Sequence, residues 1–214
     1  LFPKEKTVVT GLPVRRGFAH MPKDSGFPKE VGVPMLYITG GATGARSLNE
    51  LIFPLVGALT ERFQIIHQTG SISYEKALLV QRALPAARQK RYMIAPYIRL
   101  PELSWIFHHA SLVVGRAGAN TVFELALMGK IAILIPLPWS AGGEQEKNAL
   151  WLARQGSAIV VDQKTITAKD LAHVIEEAWT NHKAMQTCAS NVAKRMPWDG
   201  AVRMLAQVES VMEL

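Results

Sequence analysis

A chain of 214 residues with 49% apolar content is long enough to bury a core, as one large domain or two small ones. No run approaches the roughly 18 apolar residues of a membrane span, and the single cysteine, Cys188, excludes an internal disulfide and a cysteine-based zinc site. A net charge of +7 favours an anionic partner, such as nucleotide phosphates, nucleic acid or an acidic membrane surface.

Residues 1–30 are basic and broken by Pro3, Pro13, Pro22 and Pro28, with one strand-like piece at Thr7-Val8-Val9-Thr10 followed directly by Gly11-Leu12-Pro13-Val14-Arg15-Arg16. This stretch reads as a connector carrying a first strand into a domain over 31–214. Leu1 is no initiator methionine, so a longer reading frame is expected. From Pro34 a regular alternation begins. Met35 to Thr39 is expected as a strand, Gly40 to Ala45 as a glycine-rich turn, and Leu48, Leu51, Ile52, Leu55, Val56 and Leu59 form one helical face, kinked at Pro54. Strands follow at Phe63 to His67, Tyr92 to Ala95, Leu112 to Val114, Ala132 to Ile135 and Ala158 to Val161. Helices are expected between them at Tyr74 to Leu84, Pro101 to His109, Thr121 to Met128 and Glu144 to Gln155, and after them near 168–180, 182–195 and 200–213. Strands separated by helices predict an α/β domain, a Rossmann-like parallel sheet with helices on both faces. The stripe Val202, Leu205, Val208 and Val211 reads as core, or as a surface for a partner domain.

In such sheets ligands sit beyond the carboxyl ends of the strands. Four loops converge there: Gly40–Ala45, Tyr97–Leu100, Arg116–Thr121 and Pro136–Asn148. The most informative stretch is Gly115-Arg116-Ala117-Gly118-Ala119-Asn120-Thr121, with Glu124 about one turn into the following helix. A helix start offers unpaired N–H groups and partial positive charge to a phosphate, and the Gly/Ala turn keeps side chains away. Glu124 can accept hydrogen bonds from the paired hydroxyls of a ribose. A nucleotide site and a plain strand-to-helix turn both remain open from this stretch alone. Glu144, Gln145 and Asn148 open the next helix with groups able to read sugar hydroxyls, or simply to cap it. Arg15, Arg16 and Arg116 are candidates for a pyrophosphate. His20, His67, His108, His109, His173 and His182 read as structural, and no metal-ligand spacing or aromatic-basic RNA-binding motif is found, so neither a metal nor a nucleic acid is expected.

Together, Gly40-Gly41-Ala42-Thr43-Gly44-Ala45, His67-Gln68-Thr69-Gly70, Arg116 through Glu124 and Glu144-Gln145-Glu146-Lys147-Asn148-Ala149 resemble the C-terminal half of the MurG family, over nearly the whole chain. These are UDP-N-acetylglucosamine transferases that complete lipid II in bacterial peptidoglycan synthesis. The resemblance implies the C-terminal half of a GT-B fold and an inverting hexosyltransferase needing no cofactor. Its catalytic base and its acceptor site for the lipid-linked muramyl-peptide lie in an N-terminal domain outside this chain. It implies a peripheral position at the cytoplasmic face of the bacterial membrane, on an anionic surface. Glu124 matches the acid that holds the uridine ribose, Ile98 the residue whose backbone reads uracil, and Arg116, Ala119, Asn120 and Thr121 the loop beside the pyrophosphate. Gln145 and Asn148 match the pair that reads the N-acetylglucosamine hydroxyls, with Glu144 where the family often has glutamine. Arg15 matches an arginine facing the phosphates, and Ala42, with Thr43 next to it, stands where the family usually has serine. The chain alone is expected to bind donor without turnover. Two alternatives are a GT-B transferase for another lipid acceptor such as diacylglycerol, and a free-standing nucleotide-sugar-binding subunit that recruits a membrane partner. A third is a doubly wound domain for some other phosphate ligand.

Overall fold

The computed structural model describes residues 3–23, 26–41 and 44–212; Ala42, Thr43 and the Arg16 side chain lie outside them. Six strands form one parallel sheet: β1 (Met35–Thr39), β2 (Gln64–Gln68), β3 (Tyr92–Ala95), β4 (Ala110–Gly115), β5 (Ala132–Leu134) and β6 (Ala158–Val160). Their order in space is β3-β2-β1-β4-β5-β6, so the chain winds outward in both directions from the β1–β4 pair. The helices are α1 (Arg46–Ile52), α2 (Val56–Arg62), α3 (Ser71–Arg82), α4 (Ala86–Gln89), α5 (Leu100–His109), α6 (Ala119–Leu127), α7 (Glu144–Arg154), α8 (Ala168–Thr180), α9 (His182–Ala193) and α10 (Gly200–Met212).

Period-two alternation sorts the strand residues between two cores. Met35, Tyr37, Val113, Ala132 and Leu134 face α5, α6 and α7 together with Phe107, Val122, Leu125 and Leu152. Leu36, Ile38, Leu112, Val114 and Ile133 face the opposite side with Leu48 and Ile52 of α1 and Leu171 and Ile175 of α8. Strands buried on both faces explain why they read as continuous apolar runs in the sequence. The expected kink at Pro54 is a 3-10 turn, Phe53–Leu55, that separates α1 from α2 and removes the need for the missing proline N–H.

Two expectations are corrected. Thr7–Thr10 pairs with no strand among the described residues; Val8 and Val9 are 62% and 86% exposed. The stripe on α10 contributes nothing to the core, since Val202, Leu205, Val208 and Val211 are all exposed. The helix meets the body of the chain at its first residue, where Gly200 lies against the Leu12 carbonyl, and no core cluster includes its apolar face.

The segment before β1 is nonetheless docked. Phe18 is fully buried edge-on against Phe107, with ring centroids 5.2 Å apart. Ser104 Oγ on α5 donates to the carbonyls of Gly17 and His20 at 2.9 and 3.0 Å. Arg91 donates through Nε and Nη2 to the two carboxylate oxygens of Glu30, tying the far end of the segment to the N-terminal end of β3.

Candidate functional site

The winding direction reverses between β1 and β4, and their carboxyl ends stand side by side, with Thr39 opposite Gly115. The loops leaving these two strands diverge to opposite faces and open a crevice between them. Two clefts meet at this crevice. A larger one, about 700 Å³, is walled by Gly40, Gly41, Gly44, Ala45, Ser47, Arg116, Gly118, Thr121 and Gln145, with the exposed Trp139 at its rim. A smaller one, about 340 Å³, lies between Tyr37, Gln68, Ile98, Phe107, Asn120 and Glu124. Gly41 and Thr121 line both, so the start of α6 stands at their junction.

The helix start is built to be open. Gly118 is the N-cap residue of α6 and no side chain caps it, which leaves the first N–H groups without a side-chain acceptor. Glu124 lies one turn further along, nearly buried, with its carboxylate lining the smaller cleft. Burial pushes its pKa up, and the Arg15 guanidinium opposes the shift. Arg15 Nε and Nη2 both donate to Glu124 Oε1, at 3.1 and 2.6 Å. Arg15 therefore faces Glu124 across a separation of 109 residues that no sequence spacing discloses.

Arg116 is only 7% exposed. Its Nη1 donates to the Ile135 carbonyl at 2.8 Å and its Nη2 to Ser47 Oγ at 2.7 Å, while Ser47 donates onward to Gln163. The side chain thus braces the ends of β4 and β5 against α1, and burial pulls its pKa down. Gln145 Oε1 accepts from the Leu137 N–H at 3.0 Å, which orients the loop carrying Trp139 and leaves the Gln145 amide nitrogen without a partner among the described residues. Asn148 Nδ2 donates to the Ala117 carbonyl at 3.2 Å and, more distantly, to Glu144 Oε1 at 3.5 Å. Glu144 and Asn148 line neither cleft; Asn148 couples α7 to the Arg116–Gly118 loop instead. Ala119 opens α6, Asn120 borders the smaller cleft, and Ile98 forms its apolar wall with Leu103 and Phe107. The Ala42 and Thr43 readings lie outside the described residues.

Sequence reasoning missed the support beneath the first glycine turn. Gln68 accepts from the Tyr37 hydroxyl at 3.3 Å and donates to the Gly41 carbonyl at 2.8 Å. Thr39 Oγ1 accepts from the Gly41 N–H at 3.0 Å. Asn49 donates to the Thr69 carbonyl at 2.7 Å and accepts from His67 Nε2, whose other ring nitrogen accepts from the Tyr92 hydroxyl at 2.9 Å. His67 is fully buried, and desolvation pulls its pKa down to about 3, so it is neutral and structural, as expected. The advance signal for this scaffold was the polar tetrapeptide His67-Gln68-Thr69-Gly70 directly after the apolar pair Ile65-Ile66. Among the described residues no group of three His, Cys, Asp or Glu side chains is placed to hold a metal ion, and no helix is long and apolar enough to cross a membrane.

The sequence profile of the glycosyltransferase family 28 C-terminal domain matches residues 35–203, from β1 into α10. The chain belongs to this family. Curated relatives named UDP-N-acetylglucosamine–N-acetylmuramyl-(pentapeptide) pyrophosphoryl-undecaprenol N-acetylglucosamine transferase include one from Desulfotalea psychrophila, 34% identical over 96% of this chain and 54% of the relative. Another, from Solibacter usitatus, is 35% identical over 97% of this chain and 54% of its own length. Among solved structures, Acinetobacter baumannii MurG superposes with a TM-score of 0.70 at 25% identity, over 85% of this chain and 51% of that one. The chain spans about half the length of the relatives it matches. The glycosyltransferase VinC in complex with dTDP, at 16% identity and a TM-score of 0.65, shares the fold. Of the residues singled out around the start of α6, Arg116, Asn120, Thr121 and Glu124 line the clefts at the β1–β4 switch point.

Proposed function

We propose that this chain is the donor-binding half of an inverting transferase that moves N-acetylglucosamine from UDP-N-acetylglucosamine to a lipid-linked N-acetylmuramyl-peptide. One observation carries the reading. An uncapped helix start and an acid one turn beyond it meet where two clefts join, in a chain about one-third identical to transferases of that name. The smaller cleft takes the uridine, with its base against Ile98 and Phe107 and its ribose hydroxyls donating to Glu124. The diphosphate lies at the N-terminus of α6, where N–H groups and the helix dipole stabilise charge. The sugar extends into the larger cleft toward Gln145.

In the reaction, the acceptor's C4 hydroxyl oxygen bonds to C1 of N-acetylglucosamine on the face opposite the leaving group. The C1–oxygen bond to UDP breaks with its electron pair on the β-phosphate, and the hydroxyl proton passes to a base supplied outside this chain. This chain's share is leaving-group stabilisation by preorganised donors. A basic chain suits a peripheral position against an anionic membrane, where the acceptor resides, on the cytoplasmic side where UDP-sugars are made.

The test is calorimetric titration of this chain with UDP-N-acetylglucosamine and UDP-glucose, repeated with Glu124→Ala. Preference for the N-acetylated donor, lost in the variant, supports the reading. Equal binding of both sugars keeps the nucleotide site but moves the acceptor to another class of lipid. Turnover by this chain alone contradicts the division of labour.

A further inference from the structure

Arg15 is held more firmly than a partly solvated connector arginine needs to be. Its carbonyl accepts from the Phe18 N–H at 3.1 Å in a 3-10 turn, Arg16–Ala19. That turn is pinned to α5 by the buried Phe18 ring and by Ser104. The guanidinium carbon lies 5.0 Å from the Phe18 ring centroid, within cation–π range. From this seat both hydrogen bonds go to one carboxylate oxygen, Glu124 Oε1. Oε2 has no partner among the described residues, and the carboxylate borders the smaller cleft.

We infer that Arg15 is a positioning residue for nucleoside recognition: it claims Oε1, turns Glu124 to its working rotamer, and reserves Oε2 for the ribose hydroxyls instead of meeting the diphosphate itself. This rests on the reading of Glu124 as the ribose acid. The physical need is clear from the surroundings. An ionised carboxylate accepts hydrogen bonds on both oxygens, whereas the protonated form turns one acceptor site into an O–H donor, and burial favours that protonated form. Arg15 opposes that tendency. The other titratable groups lining this cleft among the described residues are Tyr37 on β1, whose hydroxyl is pushed further up by burial and stays neutral, and Tyr97 in the loop before α5; α5 itself presents Leu103 and Phe107, which carry no charge. Removing Arg15 therefore raises the Glu124 pKa, and each unit of that rise costs about tenfold in affinity at a pH below it.

The experiment measures dissociation constants of uridine, 2′-deoxyuridine and UDP for this chain as wild type, Arg15→Gln, Arg15→Lys and Glu124→Gln, at pH 6 and pH 8. Thermal unfolding followed by circular dichroism checks that each variant is folded. We expect Arg15→Gln to weaken uridine and UDP by the same factor, with a larger loss at pH 6 than at pH 8 and with 2′-deoxyuridine penalised less. Arg15→Lys, which keeps the charge, restores most of the loss at pH 6. A loss confined to UDP makes Arg15 a phosphate ligand and overturns the inference. So does an equal loss at both pH values with no rescue by lysine, which marks a merely structural contact. Should Arg15→Gln bind like wild type while Glu124→Gln is impaired, this inference alone fails. Uridine binding unaffected by Glu124→Gln defeats the ribose reading itself.

Discussion

Gly118 offers a way to separate what the fold requires from what a ligand requires. Its backbone, at φ −61° and ψ 148°, is open to any residue, and a Cβ built there meets nothing within 4 Å. The unliganded protein therefore has no steric reason for glycine at this position. Gly118→Ala gains roughly 0.4–1 kcal/mol from a stiffer unfolded chain and loses a similar amount as a poorer N-cap residue. Stability should stay within about 1 kcal/mol, a shift in Tm of no more than about 4 °C. A phosphate approaching the bare helix start would meet the new methyl group. Overpacking of that kind costs about 1–3 kcal/mol, or between roughly fivefold and a hundredfold in UDP affinity. Uridine, which has no phosphate, should bind as before.

Gly44→Ala supplies the contrast. Gly44 has φ +77°, and its Cβ would lie 2.6 Å from the Thr69 carbonyl oxygen and 2.7 Å from Gly70 Cα, both backbone atoms that cannot swing aside. Left-handed strain and overpacking together cost about 2–5 kcal/mol, on the order of 10 °C in Tm. Calorimetry with UDP and uridine, beside thermal unfolding of both variants, decides the matter. If Gly118→Ala binds UDP as tightly as wild type, or melts as early as Gly44→Ala, the phosphate does not sit where the helix start is open.

Three further outcomes follow from buried and exposed groups. His67, held near pKa 3 by burial, takes up its proton in the unfolded chain at about 6.5, so its stabilising effect is complete above pH 6.5 and is lost at about 1.4 kcal/mol per unit as pH falls toward 3. Urea unfolding between pH 7 and pH 4 should show that slope in wild type and a shallower one in His67→Gln; equal slopes refute it. Arg116→Ala strips partners from the Ile135 carbonyl and Ser47 Oγ and should lower unfolding free energy by about 1–3 kcal/mol, with no recovery in Arg116→Lys, whose single ammonium lacks the guanidinium fork. Replacing Leu205 and Val208 together by serine should leave the stability of this chain within about 0.5 kcal/mol per site, because both are exposed, and a large loss in urea unfolding would return the stripe to the core.

The sequence by itself determined the alternation of elements and the end of the sheet where the candidate site lies. Apolar β-branched runs such as Leu112-Val113-Val114, followed at once by a Gly/Ala turn and a 3.6-residue periodicity, are local signals, and local physics suffices to read them. The resemblance added which of these loops are expected to meet a donor. Only the tertiary structure decided how those loops are held and which side chains are spoken for. Arg116 and Asn148 look like free ligands in sequence but brace neighbouring loops, and Arg15 pairs with an acid 109 residues away because the burial of Phe18 lays the connector across α5. The valines at 8 and 9 and the stripe on α10 failed as strand and core for the converse reason. Their apolar pattern is genuine, but burial depends on a surface to be buried against, and none of the described residues supplies one.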